Sequence, residues 1–331
     1  MSVHEPAGGR DIITGRMGQG QMQARSSKRI SVHGAAGRKR ANCLVNAQCD
    51  TIESLVWDAT ANRLFWITPL AGQLSSVSLT SGFVQTWSLP CPVGAIALCR
   101  DGRLLTVLVD GIYLYDPATQ DLDFLAALNT RWEGDELCGR VGPDQALWVS
   151  GTEDAAAGSL LRIAGDGSVA RIAAMEAGAP SGLGWSADGL TMYGASRTDG
   201  SIGRWEFDPV TGSLSECARI VSRGEHLADP RGGAVDIEGG YWSCDAANGM
   251  VSRFAPDGRT LLRLRLPVPA PTTCCFGGHD MRLLFVGSRR TGVDTQKLSR
   301  APLSGGVFII PVGVAGVPIQ RFETGGHELR P

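Results

Sequence analysis

Long apolar runs are missing from this sequence. No stretch approaches the ~20 residues that a membrane-crossing helix needs, so no helical span and no membrane partner is expected. Histidine is scarce. Of five, only His226 and His279 fall in the repeating body described below, which argues against a histidine-rich transition-metal centre. There is no Gly-x-Ser-x-Gly elbow, no phosphate-binding P-loop and no His-Glu-x-x-His pair. Their absence removes the common serine-hydrolase, nucleotide-hydrolase and metalloprotease frameworks. No Cys-x-x-Cys occurs either. The nine cysteines are an odd number and lie mostly in apolar, strand-like stretches (Cys91, Cys99, Cys244, Cys274, Cys275), the pattern of small buried thiols in a reducing cytosol. A Cys43–Cys49 disulfide would need an oxidising compartment. No secretory hydrophobic segment precedes the body, so a cytoplasmic location is the expectation.

A charge excess is missing too. The chain carries −2 in total, and eight Lys/Arg against Glu5 and Asp11 in residues 1–40 leave −8 for the remainder. A mildly acidic body argues against nucleic acid as the ligand and leaves a small molecule as the expected partner. Residues 1–40 are rich in Gly, Gln, Ser and Arg without periodicity and read as a disordered basic arm. Its Arg25 to Arg40 cluster reads as a solvated tail, or as an overextended start upstream of Met17 or Met22, before it reads as a docking element.

What is present is repetition. An Asp/Asn-Gly-type turn leading into a short apolar strand recurs at residues 58–66, 101–105, 143–148, 187–193, 236–242 and 279–285. After each, a glycine opens a second strand with apolar residues at alternate positions: Gly72, Gly111, Gly158, Gly200, Gly249 and Gly306. A period of roughly 40–50 residues is that of a four-stranded propeller blade, and six such blades use about 290 residues as one unit. The expected fold is all-β: a six-bladed β-propeller over residues 41–322, with the arm before it and a tail at 323–331; the chain from Arg321 onward reads as unstructured. A first strand near 42–47 and the last glycine-opened strand near 306–312 each lack a hairpin partner, and pairing them would close the ring and remove two sheet edges. Trp57, Trp66, Trp148, Trp185 and Trp242 recur at blade positions and are expected in blade cores.

Several phrases along these repeats carry a family likeness. They are Glu53-Ser54-Leu55-Val56-Trp57-Asp58, Pro180-Ser181-Gly182-Leu183-Gly184-Trp185, Arg253-Phe254-Ala255-Pro256-Asp257-Gly258, Pro271-Thr272-Thr273-Cys274-Cys275-Phe276-Gly277-Gly278 and Gly305-Gly306-Val307-Phe308. In order over residues 42–322, they resemble the regucalcin/gluconolactonase/luciferin-regenerating-enzyme family. The resemblance implies a propeller that binds one divalent metal (Ca, Mg, Mn or Zn) at the channel mouth and commonly hydrolyses sugar lactones. It implies a Glu, an Asn and an Asp as oxygen ligands from different blades, with a further Asn beside the substrate. Hard oxygens suit such ions, the ion polarises the lactone carbonyl, and the Asp takes a proton from water.

This chain departs from that pattern. Glu53 keeps the first ligand position, although the Gly-Pro after it has become Ser54-Leu55. Ser181 stands in place of Asn, and Arg231, in Pro230-Arg231-Gly232-Gly233, stands in place of the ligand Asp. The Asn-Asp of the phrase that holds the substrate Asn falls at Leu137-Cys138, beside an apparent insertion after Arg131. A guanidinium about 4 Å from a dication would be repelled by roughly 8 kcal/mol at an effective dielectric of 20. The expectation is therefore that Arg231 takes the place of the ion and pairs with Glu53. Asp229 and His226, just before the altered phrase, are a candidate carboxylate and base, although a solvated loop is the plainer reading. Glu153 is a candidate for acid or base work, against the plainer reading of an exposed turn, and Arg131 and Arg140 are candidates for holding substrate. The leading reading is a lactone or cyclic-ester hydrolase with a non-standard site that need not carry a metal. The alternative is a small-ligand-binding propeller that has lost its reaction centre.

Overall fold

A computed structural model describes residues 40–128, 137–154, 157–175, 180–224 and 227–325. The expected basic arm lies outside the described residues, apart from Arg40. Six antiparallel sheets of four strands, one extended by a further short strand, form the blades of a β-propeller. Each glycine-opened segment of the sequence is the third strand of a blade, as in Gln73–Ser78, Gly111–Tyr115 and Met250–Phe254.

The repeated turn Asp has a local job. Asp58 accepts from the amides of Thr60 and Ala61, Asp101 from that of Arg103, Asp188 from that of Leu190, and Asp280 from that of Arg282. Each is an Asx-type turn that reverses the chain between a blade's first and second strands. In the third and fifth blades the turn Asp also reaches into its blade. Asp144 binds Trp148 Nε1 at 3.0 Å and Arg162 at 2.7 Å, and Asp236 binds Trp242 Nε1 at 2.6 Å and Arg253 at 2.7 Å.

The cores lie between blades. Trp57 stacks on Phe285 with ring centroids 5.5 Å apart, across the junction of the first and sixth blades. Trp148, Trp185 and Phe207 pack edge-on across the third and fourth. All five blade tryptophans are buried, as expected. Cys99, Cys244, Cys274 and Cys275 are buried free thiols; Cys91 instead sits half-buried in a bend, and Cys43 and Cys49 are free thiols. Desolvation pushes the Cys99 thiol up to about 12, so it is protonated at neutral pH.

The ring closes as its two orphan strands require. Asn42–Val45 pairs antiparallel with Val307–Pro311, with Asn42 opposite Ile309 and Val45 opposite Val307, so the sixth blade takes strands from both ends of the chain. One correction concerns the C-terminal segment. The chain is ordered past Arg321, through residue 325, because its side chains and amides are satisfied by the propeller. Phe322 is fully buried in the core between the second and third blades, Arg321 pairs with Asp58, and the Gly325 amide bonds to Gly165 O. The C-terminal segment 315–325 crosses the face where the inner strands end. It bonds at Val235 and Ile237 in the fifth blade, at Met281 in the sixth, and at Leu98 and Arg100 in the second. Among the described residues no helix is long and apolar enough to cross a membrane.

Candidate functional site

The opposite face, where the inner strands begin, holds the site. Those strands are Glu53–Asp58, Val93–Leu98, Cys138–Val141, Pro180–Trp185, Pro230–Val235 and Pro271–Gly277. All six contribute to one cavity on the axis, which encloses about 730 Å³ of space including open solvent. Ile319, from the C-terminal segment, lines it as well.

Five inner strands shift register at their first residues: between Glu53 and Val56, Val93 and Ala95, Ser181 and Gly184, Pro230 and Gly233, and Pro271 and Thr273. A bulge breaks the in–out alternation and re-aims side chains, and these bulges carry Glu53, Ser181, Arg231 and Thr272 to the cavity wall. The backbone there requires left-handed conformations. Gly182 has φ 62°, and a Cβ on it would lie 2.2 Å from the Gly233 amide of the next blade. Ser54 has φ 51° without being glycine. Its hydroxyl donates to Ile96 O at 3.3 Å and accepts from the Ile96 amide at 3.0 Å, which stitches the first blade to the second.

Arg231 is at the mouth and is only 5% exposed. Its guanidinium meets Asp229 in a two-point pair, Nε to Oδ1 at 3.1 Å and Nη2 to Oδ2 at 3.2 Å. Arg289 Nη2 approaches the same carboxylate at 3.8 Å. The loop before Arg231 is pinned by buried Asp245, which accepts from the amides of Ala228, Asp229 and Ala247 and from Asn248 Nδ2. Asp229 thus helps to orient Arg231. Glu53 lines the same cavity, as do Ser181 and Arg140. The Ser181 hydroxyl donates to Ala195 O at 3.1 Å, and Arg140 Nη2 donates to Gly233 O at 3.4 Å.

Cys138 also lines the cavity; desolvation raises its thiol pKa, so it is no ready nucleophile. Glu153 is on the strand Leu147–Asp154, whereas Arg131 and His226 lie outside the described residues.

Sequence reasoning missed Arg197 and Arg289. Arg197 lines the cavity, and both follow the last residue of a blade's second strand, in Ser196-Arg197 and Ser288-Arg289. That shared ending was a readable signal. Thr272 and Thr273 were missed as well; Thr272 donates to Ile52 O and joins the sixth blade to the first.

These residues do not fit a divalent ion in the position the likeness implies. The cavity wall carries the Arg231 guanidinium where the likeness implies a carboxylate ligand, and the Ser181 hydroxyl is a neutral group already bonded to a carbonyl. Among the described residues no cluster of three or more His, Cys, Asp or Glu is arranged to hold a metal.

Comparison with known proteins places the chain in a family. The family model described as "SMP-30/Gluconolactonase/LRE-like region" matches residues 51–290. The 6-deoxy-6-sulfogluconolactonase of Pseudomonas putida is 33% identical over 83% of this chain and 95% of its own length. Regucalcin of Bos taurus is 28% identical over 83% of this chain and 96% of its own. The crystal structure of a calcium-binding regucalcin from Agrobacterium tumefaciens superposes with a TM-score of 0.77 at 26% identity, covering 86% of this chain and 98% of that one. With a six-bladed ring and a family match over most of its length, the chain belongs to the SMP-30/gluconolactonase/LRE-like family.

Proposed function

We propose that this protein hydrolyses a sugar lactone or related cyclic ester, with Arg231 in the role that a metal ion plays elsewhere in the family. The observation that carries the reading is the buried Arg231 guanidinium, fixed by Asp229 at the mouth of a cavity that Glu53 also lines. A planar, permanently charged fork is suited to a carbonyl oxygen on which negative charge develops. Water attacks the carbonyl carbon and gives its proton to the Glu53 carboxylate. The ring C–O bond breaks, and the departing alkoxide oxygen takes that proton, leaving an open-chain hydroxy acid. Arg231 donates to the carbonyl oxygen throughout and, with its very high pKa, stays protonated. The lactonase name of the Pseudomonas putida relative supports the reaction class.

The test is hydrolysis of a lactone panel with and without chelator, alongside Arg231→Ala and Arg231→Lys, each checked by thermal melting. The expected result is turnover that ignores chelator and falls about 10²–10³-fold in Arg231→Ala, the usual effect of removing one oxyanion donor. Chelator-sensitive turnover would overturn the role given to Arg231. No turnover on a broad panel would overturn the hydrolase reading in favour of a binding propeller.

A further inference from the structure

The cavity lining holds three guanidinium groups, of Arg140, Arg197 and Arg231, and one carboxylate, that of Glu53. This is a local inversion, since the chain as a whole carries −2. Arg231 is matched by Asp229. Arg140 differs. It extends from the inner strand Cys138–Val141 of the third blade across to the fifth, where its contact is one 3.4 Å bond to the Gly233 carbonyl. No carboxylate among the described residues lies within ion-pair distance of it. A guanidinium has five N–H donors in a planar fork that matches two oxygens of an anion. Held half-buried at a cavity wall, where the field of a charge is less screened than in water, it favours a ligand that brings the missing negative charge.

We infer that the ligand of this site carries a fixed anionic group (a sulfonate, phosphate or carboxylate) besides its reacting ring, and that Arg140 is the residue that recognises it. The ring chemistry rests on the lactonase reading, but the anion site does not. Arg231 and Glu53 then face the reacting carbonyl, and Arg140, two blades away from each of them, sets the substrate's orientation.

The experiment has two arms. In the first, kcat/KM is measured on an uncharged aldonolactone and on the same ring bearing a terminal sulfonate, phosphate or carboxylate. The wild-type protein should prefer one of the charged rings at least tenfold. Arg140→Gln should reduce that preference at least tenfold, mainly through KM, while Arg140→Lys keeps part of it. In the second arm, binding of a non-hydrolysable sugar alcohol is compared, by calorimetry, with that of its terminal sulfonate, phosphate and carboxylate analogues. Charged-analogue binding that is weakened in Arg140→Gln sustains the anion site even if no lactone is turned over, so the two readings fail separately. Equal treatment of charged and uncharged ligands in both arms, or a preference that survives Arg140→Gln, would overturn the inference. Melting curves of the variants identify any loss that comes from unfolding.

Discussion

Ser54 occupies a left-handed backbone position that costs a residue with a Cβ about 1 kcal/mol or more, and it does so beside the first site residue. Two bonds to Ile96 in the next blade offset that cost. Ser54→Ala keeps the strain and leaves the buried Ile96 amide without its partner. It should therefore lower unfolding free energy by about 1–2 kcal/mol in urea titration. Ser54→Gly loses the same bonds but releases the strain, so its loss should be the smaller of the two. An alanine variant as stable as the parent would show that the stitch contributes nothing. Single residues were unevenly legible. Periodicity placed the tryptophans in the cores, and the position of Arg231 at the mouth followed from alignment with a family phrase. The Arg231–Asp229 pair did not follow, because it depends on how Asp245 folds the preceding loop back, which no spacing of residues reveals.

Strands are where the sequence was most readable, since alternating burial and turn chemistry repeat in every blade. Pairing of the first strand with the last was inferred from the two segments left without hairpin partners, and the register Asn42 to Ile309 shows it. Removal of residues 1–46 should expose the backbone edge of Val307–Pro311. The truncated protein should melt lower and aggregate on heating, as read by light scattering during a thermal ramp. A truncation that melts like the full chain would mean that ring closure adds little. Residues 321–325 were read as unstructured because Phe322 is their one large apolar side chain and they show no alternation. Their order comes from long-range anchors, Phe322 in a core between two blades and Arg321 on Asp58 and Cys99 O, which sequence proximity cannot show.

For the molecule as a whole, acid sensitivity follows from the carboxylates of the turns. Burial opposes ionisation of Asp58, Asp101 and Asp199. Hydrogen bonds from Thr60, Arg103 and Ser201, together with the charges of Arg321, Arg103 and Arg219, outweigh it and hold all three below the ordinary value of 3.8. A depressed folded-state pKa adds stability above the unfolded value, and that stability is lost as pH falls through the folded one. Melting temperature should therefore drop as pH is lowered from about 4 towards 2, and Asp58→Asn should shrink the drop. A melting temperature unchanged over that range would contradict the assignment. The C-terminal segment bears on the whole molecule in another way. Because it runs across the far end of the axis, with Ile319 against the cavity, the propeller is less a tube than a cup. On the reading proposed above, a guest enters and leaves over one rim, so a spent molecule must clear out before a fresh one settles, and arginines that draw a charged guest inward also slow its departure.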